Sequence, residues 1–262
     1  MKNTPTSTGT ILDEIVAHKR EEIAARTATR PLASFRDDVR SCGTNFHQAL
    51  QGEGIKLIAE IKPKSPSAGQ LAEELNLPGI VSAYSKYATG ISVLTDERYF
   101  GGSLSLLSQV GALTGSPLLC KEFVIESYQV YEARQAGAAA VLLIAKILPD
   151  DLLQQLQAVV RELSMTAVIE VQTEDELRRA LAVKPDVVLI NNRDLTSFEI
   201  DLQTTARLAP LVPDSVLCVS ASGINARADI DSLLKYTNKF LVGSSLMRSA
   251  NLEDAMRRLC EK

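Results

Sequence analysis

From Lys56 onward the chain alternates between two textures. Short aliphatic runs are separated by longer stretches in which apolar and charged residues mix at helical spacing. The short runs read as strands. They are "KLIAEIK" (Lys56–Lys62), "ISVLTD" (Ile91–Asp96), "LLCKEF" (Leu118–Phe123) and "AVLLIAK" (Ala140–Lys146). "AVIEV" (Ala167–Val171), "VVLINN" (Val187–Asn192), "VLCVSA" (Val216–Ala221) and "FLVGS" (Phe240–Ser244) follow. They recur every ~20–35 residues, the length of a strand–loop–helix unit. The intervening stretches, such as "DDLLQQLQAVVREL" and "TEDELRRALAV", read as helices. Thr173 followed three residues later by Glu176 predicts a capping box at the start of the second. Upstream, Ile11–Arg26 predicts an amphipathic helix, Asn45–Gly54 a short one, and the first ten residues a loosely held tail.

Eight strands alternating with helices fit either a (β/α)8 barrel or a doubly wound open sheet. The count, the near-uniform spacing and the lack of a G-x-G-x-x-G after an early strand favour the barrel. The expected organisation is a single α/β (β/α)8 barrel domain over residues 1–262, with the tail and a helical extension in 1–54 and the barrel in 55–262. In such a barrel the chemistry sits at the C-terminal ends of the strands.

That rule selects residues. The first strand ends in Glu60 and Lys62, two apart and so on one face. Read alone they are a polar site at the barrel mouth or a structural ion pair closing it. Ser65-Pro66-Ser67 after them is a rigid, hydroxyl-bearing turn. Lys121 interrupts the apolar third strand, where desolvation is expected to lower its pKa into acid/base range unless it snorkels to solvent. Glu170 interrupts the fifth, where burial is expected to raise its pKa, suiting a general base or a carboxylate paired with a neighbouring lysine. The sixth ends Asn191-Asn192-Arg193; Asn191 can hold a hydroxyl or oxyanion, and Arg193 a carboxylate or phosphate. The seventh and eighth end in "SASGI" and "VGSSLMR", bringing Ser222, Gly223, Gly243 and Ser244 to strand–helix junctions where backbone N–H groups can cradle phosphate.

Composition narrows the classes. The net charge of −4 and an aromatic content of 5% without Trp argue against a nucleic-acid surface. Four scattered cysteines (Cys42, Cys120, Cys218 and Cys260) suit a reducing compartment, and with only His18 and His47 a zinc site is not expected. The polar N-terminus lacks a secretion signal, and no apolar run is long enough to span a membrane. A cytoplasmic protein is expected.

The segments "IAEIKPKSPSAG", "ISVLTDERYFGGS", "LLCKEFVI", "VLLIAKIL", "VIEVQTEDEL", "INNRDLTSFEID", "SASGI" and "VGSSLMR", with "ILDEIVAHKREEI" ahead of them, resemble in order the indole-3-glycerol phosphate synthase family of tryptophan biosynthesis. The resemblance spans essentially the whole chain. It implies a (β/α)8 barrel whose N-terminal helical extension lies over the barrel mouth. It implies conversion of 1-(2-carboxyphenylamino)-1-deoxyribulose 5-phosphate to indole-3-glycerol phosphate with loss of CO2 and water, a carboxy-lyase reaction without metal or organic cofactor. Carried over by position, Lys121 is the acid of ring closure, Glu170 the acid/base of dehydration, and Lys62 a substrate contact that shares the acid role, with Glu60 positioning it. Asn191 and Arg193 complete the polar wall, and Ser222 lies beside the reacting centre. Lys62, Ser65, Gly223, Gly243 and Ser244 surround the phosphate. The expected partner is this phosphorylated small molecule, with no nucleic acid and no membrane. Other tryptophan-pathway enzymes are expected as separate polypeptides, since the length leaves no room for a fused second enzyme.

Two positions depart from the family. Its Ser-Glu-Ser-Gly is Ser-Ala-Ser-Gly here, so Ala221 stands where the family has a carboxylate; Leu189 stands where the family has Gly. They motivate two other readings: a divergent synthase of altered substrate or reduced activity, and a phosphate-ligand-binding barrel without turnover.

Overall fold

The computed structural model describes residues 9–39, 43–66, 69–71 and 75–261; Ser67 and Cys42 lie outside them. The eight barrel strands are β1 (Lys56–Ile61), β2 (Gly90–Leu94), β3 (Leu118–Lys121), β4 (Ala140–Ile144), β5 (Thr166–Val171), β6 (Val187–Asn191), β7 (Leu217–Ala221) and β8 (Lys239–Val242). All neighbours pair in parallel and β1 closes on β8, with Lys56 opposite Lys239 and Ile58 opposite Leu241. The (β/α)8 barrel read from the pattern is therefore the fold.

Period-two alternation sorts the strand residues into two apolar layers. Ile58, Leu119, Leu142, Val168, Leu189, Val219 and Leu241 fill the barrel. Leu57, Ala59, Val93, Cys120, Val141, Ile169, Val188 and Phe240 belong to the second layer, with the helix residues Leu107, Val130, Leu156 and Ile230. Several strands end sooner than their apolar runs. Phe123, Lys146 and Ser244 lie past the ladders, and Ala145–Ile147 turns into a 3-10 helix. Its Ala145 carbonyl accepts from Arg179 Nη1 at 3.0 Å, a bond that takes the place of a ladder partner. Thr173 caps the helix Glu174–Ala182 by accepting from Glu176 N at 3.2 Å. The Glu176 carboxylate reaches back one residue further than the capping box requires, to Gln172 N at 2.7 Å.

The segment before β1 covers both ends of the barrel. Helix α1 (Ile11–Thr29) is longer than its expected Ile11–Arg26 span and is capped by Thr10. Its Leu12 and Ile15 join the interior cluster together with Phe123. At the opposite end, helix α2 (Phe46–Ala49), capped by Asn45, plugs the barrel floor. His47 N donates to Thr166 Oγ1 at the start of β5, 3.2 Å away. The Phe46 ring abuts Gly90 at the start of β2, where an added Cβ would lie 3.0 Å from Phe46 Cε2. None of the helices described is long and apolar enough to cross a membrane.

Phe46 is 1% exposed. Phe46→Ala should therefore destabilise the fold by roughly 3–5 kcal/mol in urea unfolding, whereas Leu113→Ala on the exposed side of a helix should stay within about 0.5 kcal/mol. Equal midpoints for the two variants would show that the floor plug carries no packing energy.

Candidate active site

Glu60 sits where β1 meets the barrel mouth, only 2% exposed. A buried carboxylate must be paired to stay ionised. Lys62 Nζ lies 2.8 Å from Glu60 Oε1, and Lys121 Nζ, from the end of β3, lies 3.0 Å from Oε2. Burial pushes the Glu60 carboxyl up, but Lys121 and then Lys62 outweigh burial and hold it at about 2. Gly243, just past β8, leaves the space this carboxylate occupies, since a Cβ there would overlap Glu60 Oε1.

Lys121 departs from the sequence expectation. Burial pushes its ammonium down, but Glu60 and then Glu170 more than offset this, so its pKa lies above the ordinary lysine value instead of below it. Glu170 on β5 behaves as expected. Burial raises its carboxyl, and Lys121 and the Asn191 hydrogen bond only partly oppose this. Asn191 Nδ2, at the end of β6, donates to Glu170 Oε1 at 3.0 Å, while its Oδ1 accepts from Arg193 N at 3.1 Å. No lysine makes a close ion pair with Glu170 among the described residues.

The next residue points the other way. Asn192 Nδ2 donates to Ser220 Oγ at 3.1 Å, Ala221 O at 3.0 Å and Ser222 O at 3.1 Å. Its Oδ1 accepts from Thr205 N at 3.0 Å and Thr205 Oγ1 at 2.8 Å. This network ties β6 to the end of β7, where Ser222 (φ 68°) and Gly223 (φ 81°) are both left-handed. For Ser222 that conformation costs roughly 1–2 kcal/mol, against which the Asn192 bonds act. At Gly223 a Cβ would come within 2.5 Å of Ile200 Cγ2 in the loop after β6. Ala221 and Leu189, 3% and 0% exposed, both belong to the apolar cluster inside the barrel. Leu189 pairs in register with Glu170, and Ala221 with Asn191.

Two adjoining cavities occupy the mouth, of about 100 and 110 Å³. The first is lined by Ser65, Glu170 and Asn191, and the second by Glu60, Gly223 and Gly243. Lys62, Lys121, Arg193, Ser222 and Ser244 line both. Every residue selected from the strand ends thus reaches this region. A larger groove of about 780 Å³ runs along the C-terminal helix, lined by Arg227, Arg257 and Arg258 among others, and contains none of them. No group of three or more His, Cys, Asp or Glu side chains among the described residues is placed to hold a metal ion.

Strand-end reasoning missed two parts of the site. Arg248 lines the second cavity, its Nε donating to Ser244 O at 3.1 Å. The four-residue spacing from Ser244 in a helical turn was the available signal. Arg193 is held below the ordinary guanidinium value by burial and then by Arg248. The second cavity therefore gathers Lys62, Lys121, Arg193 and Arg248 around one carboxylate, Glu60, a charge balance suited to a phosphate. The other missed part is an apolar wall on the first cavity formed by Leu94, Phe100, Phe123, Leu195 and Phe198. Phe100, Leu195 and Phe198 lie outside the strands, beyond the reach of strand alternation, while Leu94 ends β2 and Phe123 stands two residues after Lys121 on the same face.

The family model described as indole-3-glycerol phosphate synthase matches residues 12–259. The chain is 43% identical over 249 residues to the tryptophan biosynthesis protein TrpCF of Vibrio cholerae, covering 95% of this chain and 53% of the relative. It is 41% identical to the Yersinia pestis protein of the same name, covering 96% and 53%, and 42% to that of Salmonella typhi, covering 95% and 55%. The chain thus spans about half the length of these relatives. Among solved structures, the Pyrococcus furiosus tryptophan synthase complex aligns with a TM-score of 0.59 at 16% identity, over 78% of this chain and 97% of the other, a likeness of fold.

The Glu60 geometry has a pH signature. Its carboxyl falls from the ordinary 4.5 to about 2, so its contribution is complete above the higher value and is lost as pH falls toward the lower. The Tm gap between wild type and Glu60→Gln should accordingly narrow as the pH is taken from neutrality down through that window. A gap of constant size throughout would contradict the buried pairing.

Proposed function

The chain belongs to the indole-3-glycerol phosphate synthase family, and on that premise we propose that it closes the indole ring of 1-(2-carboxyphenylamino)-1-deoxyribulose 5-phosphate, releasing CO2 and water. One observation carries the reading: an ammonium held protonated and a carboxyl raised by burial, Lys121 and Glu170, line the same cavity. Groups whose environments push their pKa values in these directions can serve as the acid and the base of one reaction.

The reaction needs each of them in turn. Attack of the aromatic carbon on the sugar ketone builds negative charge on the ketone oxygen, and the Lys121 ammonium donates a proton there. Loss of CO2 from the ring carbon returns the electron pair to the ring. Elimination of the resulting hydroxyl as water then requires proton removal, which falls to Glu170, and proton donation to the leaving oxygen. Asn191 orients the Glu170 carboxyl. Glu60 keeps Lys62 and Lys121 apart on its two oxygens. Lys62, Ser65, Arg193, Ser222, Gly223, Gly243 and Ser244 are assigned to holding the substrate, with its phosphate in the more cationic cavity and its aromatic ring against Phe100 and Phe123. The ligand is thus a phosphorylated small molecule, and the proposed setting is the cytoplasm.

Ala221 and Leu189 fit the same reading as one packing solution. The family carboxylate at 221 is absent and the family glycine at 189 is filled, and both side chains lie in the barrel interior. A smaller residue on one strand makes room for a larger one on its neighbour.

Turnover is followed by the fluorescence of the indole product. Lys121→Ala and Glu170→Gln should each lower kcat by roughly 10²- to 10⁴-fold while substrate binding persists. Wild-type protein that binds the substrate without forming product would support the binding-barrel reading instead. For the packing pair, Ala221→Glu should destabilise on its own and be relieved by Leu189→Gly, with a coupling of about 0.5–3 kcal/mol in a double-mutant cycle. Additive effects would show that the two positions are independent.

A further inference from the structure

Three side chains of helix α1 make polar contacts with the segments that follow β2 and β3. Two are exposed: Tyr99 Oη donates to Glu14 Oε1 at 3.0 Å, and Arg98 Nη1 lies 3.2 Å from His18 Nδ1. The third is fully buried. Lys19 Nζ, 0% exposed, lies 3.0 Å from Asp96 Oδ2 and 3.1 Å from Glu122 Oε1, with Glu22 Oε2 of its own helix at 2.8 Å. Asp96 and Glu122 are themselves 0% and 6% exposed.

Each of these carboxylates is also bound to its own strand end. Asp96 Oδ1 accepts from Tyr99 N at 2.7 Å and Phe100 N at 3.2 Å, capping the short helix that carries Phe100 to the cavity wall. Glu122 Oε1 accepts from Phe123 N at 2.8 Å, and its Oε2 from Thr95 Oγ1 at 3.0 Å. Lys121 precedes Glu122 directly. Lys121 turns to Glu60, and Glu122 turns to Lys19. The two strand ends that present Lys121 and Phe100 are thereby joined through one ammonium on the N-terminal extension.

We propose that Lys19 is a positioning residue for the reaction: by bridging Asp96 and Glu122, the latter also on the lining of the first cavity, it sets where the Lys121 ammonium and the Phe100 ring stand in the cavity. The proposal rests on the reading of Lys121 as the acid. Misplacing an acid by an ångström costs on the order of 10²-fold in rate, so a buried tie one residue away acts on the chemistry as well as on the fold.

Lys19→Met alone would leave two buried carboxylates without their cation and endanger folding. The test is the double variant Lys19→Met/Glu122→Gln, which removes one positive and one negative charge and nearly preserves the field at Lys121. The control is Val160→Ala, a buried cavity mutation on the outer helix Asp150–Glu162, which lowers Tm without touching the mouth. The double variant should lower kcat about 10- to 100-fold with KM within about threefold. The NMR titration of the Lys121 side-chain carbon should move to lower pH, because a loosened ammonium loses part of the Glu60 field. The control should lose Tm and change neither quantity. The proposal is overturned if the Lys121 titration stays put in the double variant, or if titration and kcat move as much in Val160→Ala. Wild-type protein without turnover would sink the reading of the reaction, and the titration would still decide whether Lys19 positions Lys121.

Discussion

A carboxylate almost out of contact with water cannot stay charged alone, and Glu60 is such a carboxylate. Its charge persists because two lysines meet it from different strands. That requirement orders the mouth of the barrel. Lys62 and Lys121 are held on its two oxygens, and the eighth strand gives way to Gly243 where any side chain would collide with it. Lys121 in turn faces Glu170, whose own position is set by Asn191. From one buried negative charge follow the raised pKa of Lys121, the glycine just past β8 and the separation of Lys62 from Lys121.

Strand alternation gives each strand end two polar systems. The inward one is the site. The outward one holds it in place: Lys19 and Asp96 behind β2 and β3, joined to the site through Glu122 on the cavity lining, and Asn192, Thr205 and Ser220 behind β6 and β7. In both, a residue of the site is followed directly by one of the support, Lys121 by Glu122 and Asn191 by Asn192. The left-handed Ser222 lies on the cavity lining itself, and the Asn192 bonds behind it are what hold that conformation in place.

Much of this was legible in the sequence. Eight aliphatic runs at regular spacing sufficed for the barrel, and one charged residue within an apolar run marked both Lys121 and Glu170. What escaped depended on information that periodicity lacks. The direction of the Lys121 shift turned on which charges lie across the barrel from it, and the desolvation rule alone pointed the wrong way. Arg248, Leu195 and Phe198 sit in turns or loops and Phe100 on a short helix, where no strand rule applies. Strand limits at Phe123, Lys146 and Ser244 were overrun because a hydrophobic run continues after its hydrogen-bond ladder stops.

The residues ahead of β1 close both ends of the barrel, α1 at the mouth and α2 at the floor. Their contacts reach far along the chain: His47 to Thr166, and Asn238 Nδ2 back to Gly54 O. During synthesis these residues leave the ribosome before the groups that receive them. The floor plug waits for the fifth strand, and the Gly54 turn for the eighth. Until then the Phe46 and Leu50 side chains, almost fully buried in the finished fold, have no interior to enter. The extension is thus a latch made before its catch: α1 meets the second and third strand ends, α2 waits for Thr166, and only the Asn238 bond to Gly54 awaits the last strand.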